Sequence, residues 1–255
     1  MKKIWKYRFY YYLALPGLIY FIIFHYVPMG GALIAFKDIS PFDGLRGFFD
    51  APWVGFKHFE RFTSSVYFLD VIENTLIISG LKILFGFPAP IILALLLNEV
   101  LRMSLKRIMQ TISYLPHFIS WVVTAGMITA LLATSGGLLT ETINDFTGSN
   151  INFLGNKDYF VGILVTSHVW KTIGWSSIIY LAAMSSIDPA LYESARIDGA
   201  NRLQMAWHIT LPSIMFVIVI MFLLEIGNLL EAGFEQILLL LSLIHISEPT
   251  RRSTI

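Results

Sequence analysis

The sequence predicts an all-α integral membrane protein built from several spanning helices. Composition is the first reason: 56% of the 255 residues are hydrophobic and only 14% are charged, against about 25% charged in typical soluble domains. The second is that the apolar residues gather in five stretches near the ~20-residue length that crosses a bilayer core. The third is that lysine and arginine concentrate in alternate connecting segments, the pattern of a chain that crosses a membrane repeatedly.

The elements follow in chain order. MKKIWKYRFYYYLALPGLIYFIIF has a cationic start and then an apolar run to about Phe36, without an A-x-A cleavage site, so Tyr11–Ala35 reads as an uncleaved first span. The next four are Val71–Leu97, Ile112–Leu132, Phe160–Met184 and Leu211–Leu230, with Lys82 and Lys171 as charges inside the second and fourth. Pro16, Pro28, Pro88 and Pro90 fall in or near spans, where neighbouring helices can satisfy the carbonyls a proline frees. Between the first two spans, PWVGFKHFERF has Trp53, Phe56 and Phe59 at intervals that suit an amphipathic segment on the membrane surface. Residues 135–158 are rich in Gly, Asn, Asp and Thr and read as a loop.

With the N-terminus in the cytoplasm, Lys2, Lys3, Lys6, Arg8, Arg102, Lys106, Arg107, Arg196 and Arg202 lie inside, nine in all, against five outside: Lys37, Arg46, Lys57, Arg61 and Lys157. The cation bias favours this orientation. It also places the polar segment between the fourth and fifth spans in the cytoplasm.

That segment, YESARIDGANRLQMAWHITLP, has a legible local code. Asp188 can cap the free N–H groups of a helix that Pro189 opens. A helix over Ala190–Asp198 would end at Gly199, a left-handed terminator. Asn201 would cap a second helix to about Ile209, and Pro212 would open the next span. The product is a helix, a sharp turn and a helix, with small residues at Ala195, Gly199 and Ala200 and carboxylates at Glu193 and Asp198.

Glu193, Ala195, Gly199, Ile209, Leu211 and Pro212 stand at the spacing E-x-A-x3-G-x9-I-x-L-P. This resembles the cytoplasmic coupling (EAA) loop of ABC importer permeases. VGFKHFERF, YLPHFISWVV and GNLLEAGFEQILLL extend the resemblance over roughly residues 5 to 241, toward the carbohydrate and oligosaccharide branch of that family. It implies a membrane-spanning subunit that moves sugars by alternating access, with a permease core at about 68–241 in a transmembrane domain of residues 1–241. It also implies an ATPase that docks on Glu193, Ala195, Asp198, Gly199, Ala200, Ile209, Leu211 and Pro212. The further partners implied are a second, related permease, an extracytoplasmic solute-binding protein and the lipid bilayer of the cytoplasmic membrane. LSLIHISEPTRRSTI departs from the family pattern and resembles translated sequencing-adapter sequence, so residues 242–255 read as an atypical tail where the family would have a sixth span.

No enzyme or cofactor signature is present. The chain has no cysteine, which removes disulfides and thiolate chemistry. No G-x4-G-K-[ST] or H-E-x-x-H occurs, so nucleotide binding by a P-loop and zincin chemistry are not expected. The six histidines lack ligand spacing, so no metal is expected. A net charge of +1, with dispersed cations, gives no nucleic-acid signal.

Polar groups inside spans are costly and usually face a cavity or a partner. His168, Lys171 and Trp175 share one face of the fourth span, with Trp170 close by, and Glu225 and Asn228 share a face of the fifth. Aromatic faces with planar hydrogen-bonding groups suit sugars, so Asn228, Lys171, Trp175, Trp170 and Glu225 are the substrate-cavity candidates. An ion pair between Lys171 and Glu225 is the competing role. A permease for peptide, phosphate or another solute keeps the same fold, and an ion-coupled transporter using Lys82, Lys171 and Glu225 is the alternative of a different class.

Overall fold

The computed structural model describes residues 5–247, apart from 41, 43, 135, 149–150 and 230–232. Every regular element among them is helical, and the sole strand-like feature is an isolated bridge between Lys37 and Trp53. The chain divides into two compact units, residues 1–71 and 72–255.

The first unit is dominated by α1, Arg8–Phe36, 29 residues with no buried window. Its residues are exposed from Arg8 to Met29 and half-buried only near its end, at Gly30, Gly31, Ala35 and Phe36. Ahead of Pro28 the helix widens into a π turn over Ile22–Tyr26. A proline ring collides with the carbonyl four residues earlier in a normal helix, and the wider turn gives that carbonyl room. After α1 come α2 (Gly44–Asp50) and α3 (Lys57–Thr63). Lys37 is buried and its ammonium donates to the Phe48 and Phe49 carbonyls, 2.7 and 3.2 Å away, at the C-terminal turn of α2. The Trp53 ring lies 5.2 Å from that ammonium. Phe56 and Phe59 close on Phe36 with ring centroids 5.6 and 5.2 Å apart. The expected surface segment is thus only one short helix, whose aromatics are partly committed to the end of α1. Trp53 and Phe56 still keep most of their surface open.

α4 (Phe68–Asn98, 31 residues), which belongs to the second unit from Ile72 on, is a further helix long and apolar enough to cross a membrane. The third and fifth expected spans are broken instead of straight. α5 (Met103–Phe118) meets α6 (Trp121–Leu132) at 99°. Ser120 is extended and its hydroxyl accepts the Val123 N–H, so a new helix starts there. α10 (Arg202–Ser213) meets α11 (Met215–Gly227) at 67°. Pro212 therefore does not open the fifth span. It lies inside α10, with a π turn over Ala206–Thr210 ahead of it as before Pro28, and the break falls at Ile214. α11 ends at Gly227 with Asn228 as its C-cap, short of the expected Leu230, which lies outside the described residues.

α8 (Lys157–Met184) has 28 residues, about 42 Å at 1.5 Å per residue. It has the length of the fourth span, although Lys157, Asp158, His168 and Lys171 make it more polar than α1 or α4. The loop expected over 135–158 contains α7, Leu138–Thr147. A last helix, α12, runs over Phe234–Ser247. The backbone of residues 242–247 thus continues a helix, and the rest of the expected tail lies outside the described residues.

Two apolar clusters hold this unit. Ile91 and Ala94 of α4, Tyr180 and Met184 of α8 and Ile214 at the bend form one. Ala125 of α6, Leu164 of α8 and Leu240 of α12 form the other. At the α5–α8 crossing the backbones touch: a Cβ on Gly174 would collide with the Ser113 carbonyl. Small residues serve close helix approach in membranes, where no hydrophobic drive separates helix from lipid.

Candidate functional site

Two regions carry the residues singled out from the sequence. The first is the loop between α8 and α10. α9 (Pro189–Ile197) is capped by Asp188, whose carboxylate accepts the Ala190 N–H at 2.9 Å. Gly199 has φ +81°, a conformation that favours glycine. The Ala200 N–H reaches back to the Ala195 carbonyl at 2.9 Å and the Gly199 N–H to the Arg196 carbonyl at 3.1 Å. These two bonds are the pair that closes a Schellman terminator. Asn201 and Gln204 then form a reciprocal capping box at 2.9 and 2.8 Å, starting α10. The two arms are tied together by the Tyr192 and Thr210 hydroxyls, 2.9 Å apart, and α10 is tied to the end of α4 by Arg202 and Glu99 at 3.1 Å.

The result is a protruding knob. Glu193, Asp198 and Gly199 are exposed, Ala195, Ala200, Ile209 and Leu211 are half-buried, and Pro212 is exposed on α10. Ile197 at the turn is 87% exposed, although it was not among the expected residues. An apolar side chain so open beside the Gly199 turn is a feature that the motif spacing does not mark.

The second region is a cavity of about 350 Å³ between α4, α5, α6, α8 and α11. Lys171, Glu225 and Asn228, expected from the sequence, all line it. Lys82, His117, Trp121 and His168 line it too. Trp175 lies off the wall because its ring stacks on His117 with centroids 4.6 Å apart. Trp170 also lies off it, on another face of α8, and is 43% exposed. Among the described residues no ion pair joins Lys171 to Glu225. The Lys171 ammonium donates instead to the carbonyls of Pro116, His117 and Ile119. It ties off the carbonyls of the 3₁₀ turn that ends α5, where the chain breaks before α6. Asn228 is exposed and caps α11, with its N–H on the Glu225 carbonyl.

A smaller cavity of about 120 Å³ shares His168, Thr172 and Glu225 and adds Ser176 and Tyr180. His168, Thr172, Ser176 and Tyr180 are spaced by four and form a polar line down one face of α8. That period is present in the sequence but is masked by the many small and apolar residues around it.

Residues 86–244 match the family model described as binding-protein-dependent transport system inner membrane component. The chain belongs to this family. It is the multi-pass membrane permease of an ABC importer and not an enzyme; in these importers the ATPase is a separate subunit and a solute-binding protein works with the permease. Over 241 residues the permease is 48% identical to the polygalacturonan/rhamnogalacturonan transport system permease protein YteP of Bacillus subtilis (strain 168), covering 94% of this chain and 74% of that protein. It is 44% identical over 230 residues to Protein LplB of the same organism, covering 90% and 71%. A solved bacterial ABC transporter involved in the import of the acidic polysaccharide alginate superposes with a TM-score of 0.84 at 44% identity, covering 94% of this permease and 79% of the matched chain.

Proposed function

We propose that this permease imports acidic oligosaccharides, carrying them through the cavity at Lys82, Lys171, Glu225 and Asn228. One observation carries the reading. Among the described lining residues two ammonium groups, Lys82 and Lys171, share the wall with one carboxylate, Glu225, while His117, His168 and Asn228 supply further hydrogen-bonding groups and Trp121 an aromatic face. Such a wall suits a sugar that bears carboxylates. YteP is named for polygalacturonan and rhamnogalacturonan, whose galacturonate units carry carboxylates, and the transporter of known structure for the acidic polysaccharide alginate. The polar line from His168 to Tyr180 is the path inward. In uptake assays with labelled trigalacturonate, excess unlabelled trigalacturonate competes and a neutral galactose trisaccharide does not. Equal competition by the neutral sugar would remove the acidic cargo from this reading.

The knob is the ATPase-docking surface, with Glu193, Ala195, Asp198, Gly199, Ala200, Ile209, Leu211 and Pro212 forming or shaping it. Exposed Ile197 and Leu203 supply its apolar contacts. It lies in the cytoplasm with the N-terminus, as the cation bias favours. Single cysteines at Asp145 of α7 and Ser194 of α9, both exposed, check the orientation. An impermeant thiol reagent on intact cells is expected to label position 145 and not 194. The reverse pattern would invert the topology.

A further inference from the structure

The G-F-E-Q run at residues 233–236 stands out in the sequence, and the structure shows what two of its residues hold. Gly233 has φ +76°, and a Cβ there would run into the Lys82 ammonium and lie 3.2 Å from Gln236 Oε1. Gln236 is 1% exposed. Its Oε1 accepts from Lys82 at 2.7 Å, and its Nε2 donates to the Leu164 carbonyl at 2.9 Å and to the Ser167 hydroxyl at 2.8 Å. An ammonium can only donate, so the amide has one usable orientation, and both ends are anchored. The start of α12 thus holds a lysine of α4 against α8, with Lys82 and Gly233 both on the cavity wall. The other lysine of the cavity has a different task, since Lys171 is directed at the three carbonyls of the α5–α6 break.

We propose that Lys82 is the side chain that contacts a carboxylate of the sugar, and that Gly233 and Gln236 are positioning residues that set where its ammonium stands. The inference rests on the reading of this cavity as the cargo site. It explains why a glycine and a glutamine sit three residues apart: one leaves room for the ammonium and the other fixes it.

Equilibrium binding to the full transporter in proteoliposomes, without solute-binding protein, tests it. The probes are trigalacturonate and its neutral methyl ester. The unaltered transporter is expected to prefer the acid. Lys82→Met lowers acid affinity about tenfold, the order of one charge-assisted hydrogen bond, and leaves the ester unchanged. Lys82→Arg restores part of the preference, which a purely structural lysine would not show. Gly233→Ala, which displaces the ammonium, gives the same selective loss at normal amounts of assembled protein. If Lys82→Met keeps the acid preference, or weakens acid and ester alike, Lys82 is a packing residue and the inference is overturned. If the unaltered transporter shows no preference for the acid, the acidic-cargo reading fails, and this inference with it.

Discussion

Gly174→Val removes assembled permease from the membrane, and Gly174→Ala lowers its amount. A Cβ at this position meets the Ser113 carbonyl and the Tyr114 N–H, which are backbone atoms of α5. No rotamer change relieves such a contact, so α8 must move away from the helix it crosses. Overpacking of this kind costs typically about 1–3 kcal/mol. The cost is compounded here because Lys171, one turn earlier, must stay on the carbonyls at the end of α5. Gly162→Ala is the control, since a Cβ there meets nothing within 4 Å. Quantified membrane fractions and thermal melting of the purified transporter check the pair. Normal amount and melting in Gly174→Val would show that α5 and α8 are not in backbone contact.

Gly199→Val acts differently, leaving assembly in place and removing transport. Its Cβ would meet nothing within 4 Å, so the only obstacle is φ +81°. Forcing an L-residue into that conformation costs roughly 1–2 kcal/mol, with β-branched side chains at the upper end. That is small against a membrane bundle. It is comparable to the two hydrogen bonds that close the turn, each worth about 0.5–1.5 kcal/mol net. The turn therefore opens while the spans persist. Uptake falls at least tenfold and ATP hydrolysis no longer responds to loaded binding protein. Gly199→Asn, a residue that tolerates the left-handed region, recovers most of the response. Full stimulation in the valine variant would mean that the shape of the turn does not matter for coupling.

The knob was the most legible part of the sequence because its determinants are local. Asp188, Gly199, Asn201 and Gln204 each act within a few residues along the chain, so their spacing alone specifies caps and turn. The breaks at Ser120 and Ile214 are not legible from hydropathy, since the apolar runs resume on both sides of Pro116–Ser120 and of Pro212–Ser213 and each reads as one span. Pro212 departs from the expectation for a related reason: a π turn absorbs its ring, so it lies inside α10 and the break falls two residues later, at Ile214. The cavity was legible in part. Lys171, Glu225 and Asn228 were marked by their cost inside apolar runs, but nothing local showed that Lys171 would turn to the carbonyls of residues 116–119. Nor did anything local join Lys82 to Gln236, 154 positions away. Trp175 shares the helical face of His168 and Lys171, yet stacking on His117 takes its ring off the wall.

ATP-dependent accumulation is the direct test of the transport mechanism. The permease is reconstituted with its partner permease, ATPase and binding protein, and labelled trigalacturonate is followed with proton and sodium gradients collapsed. A permease driven through the residue 188–212 knob accumulates sugar above the external concentration only when ATP reaches the ATPase, and collapse of the ion gradients changes nothing. Accumulation that follows an imposed ion gradient and proceeds without ATP would contradict it, and would return Lys82, Lys171 and Glu225 to the role of ion-coupling groups.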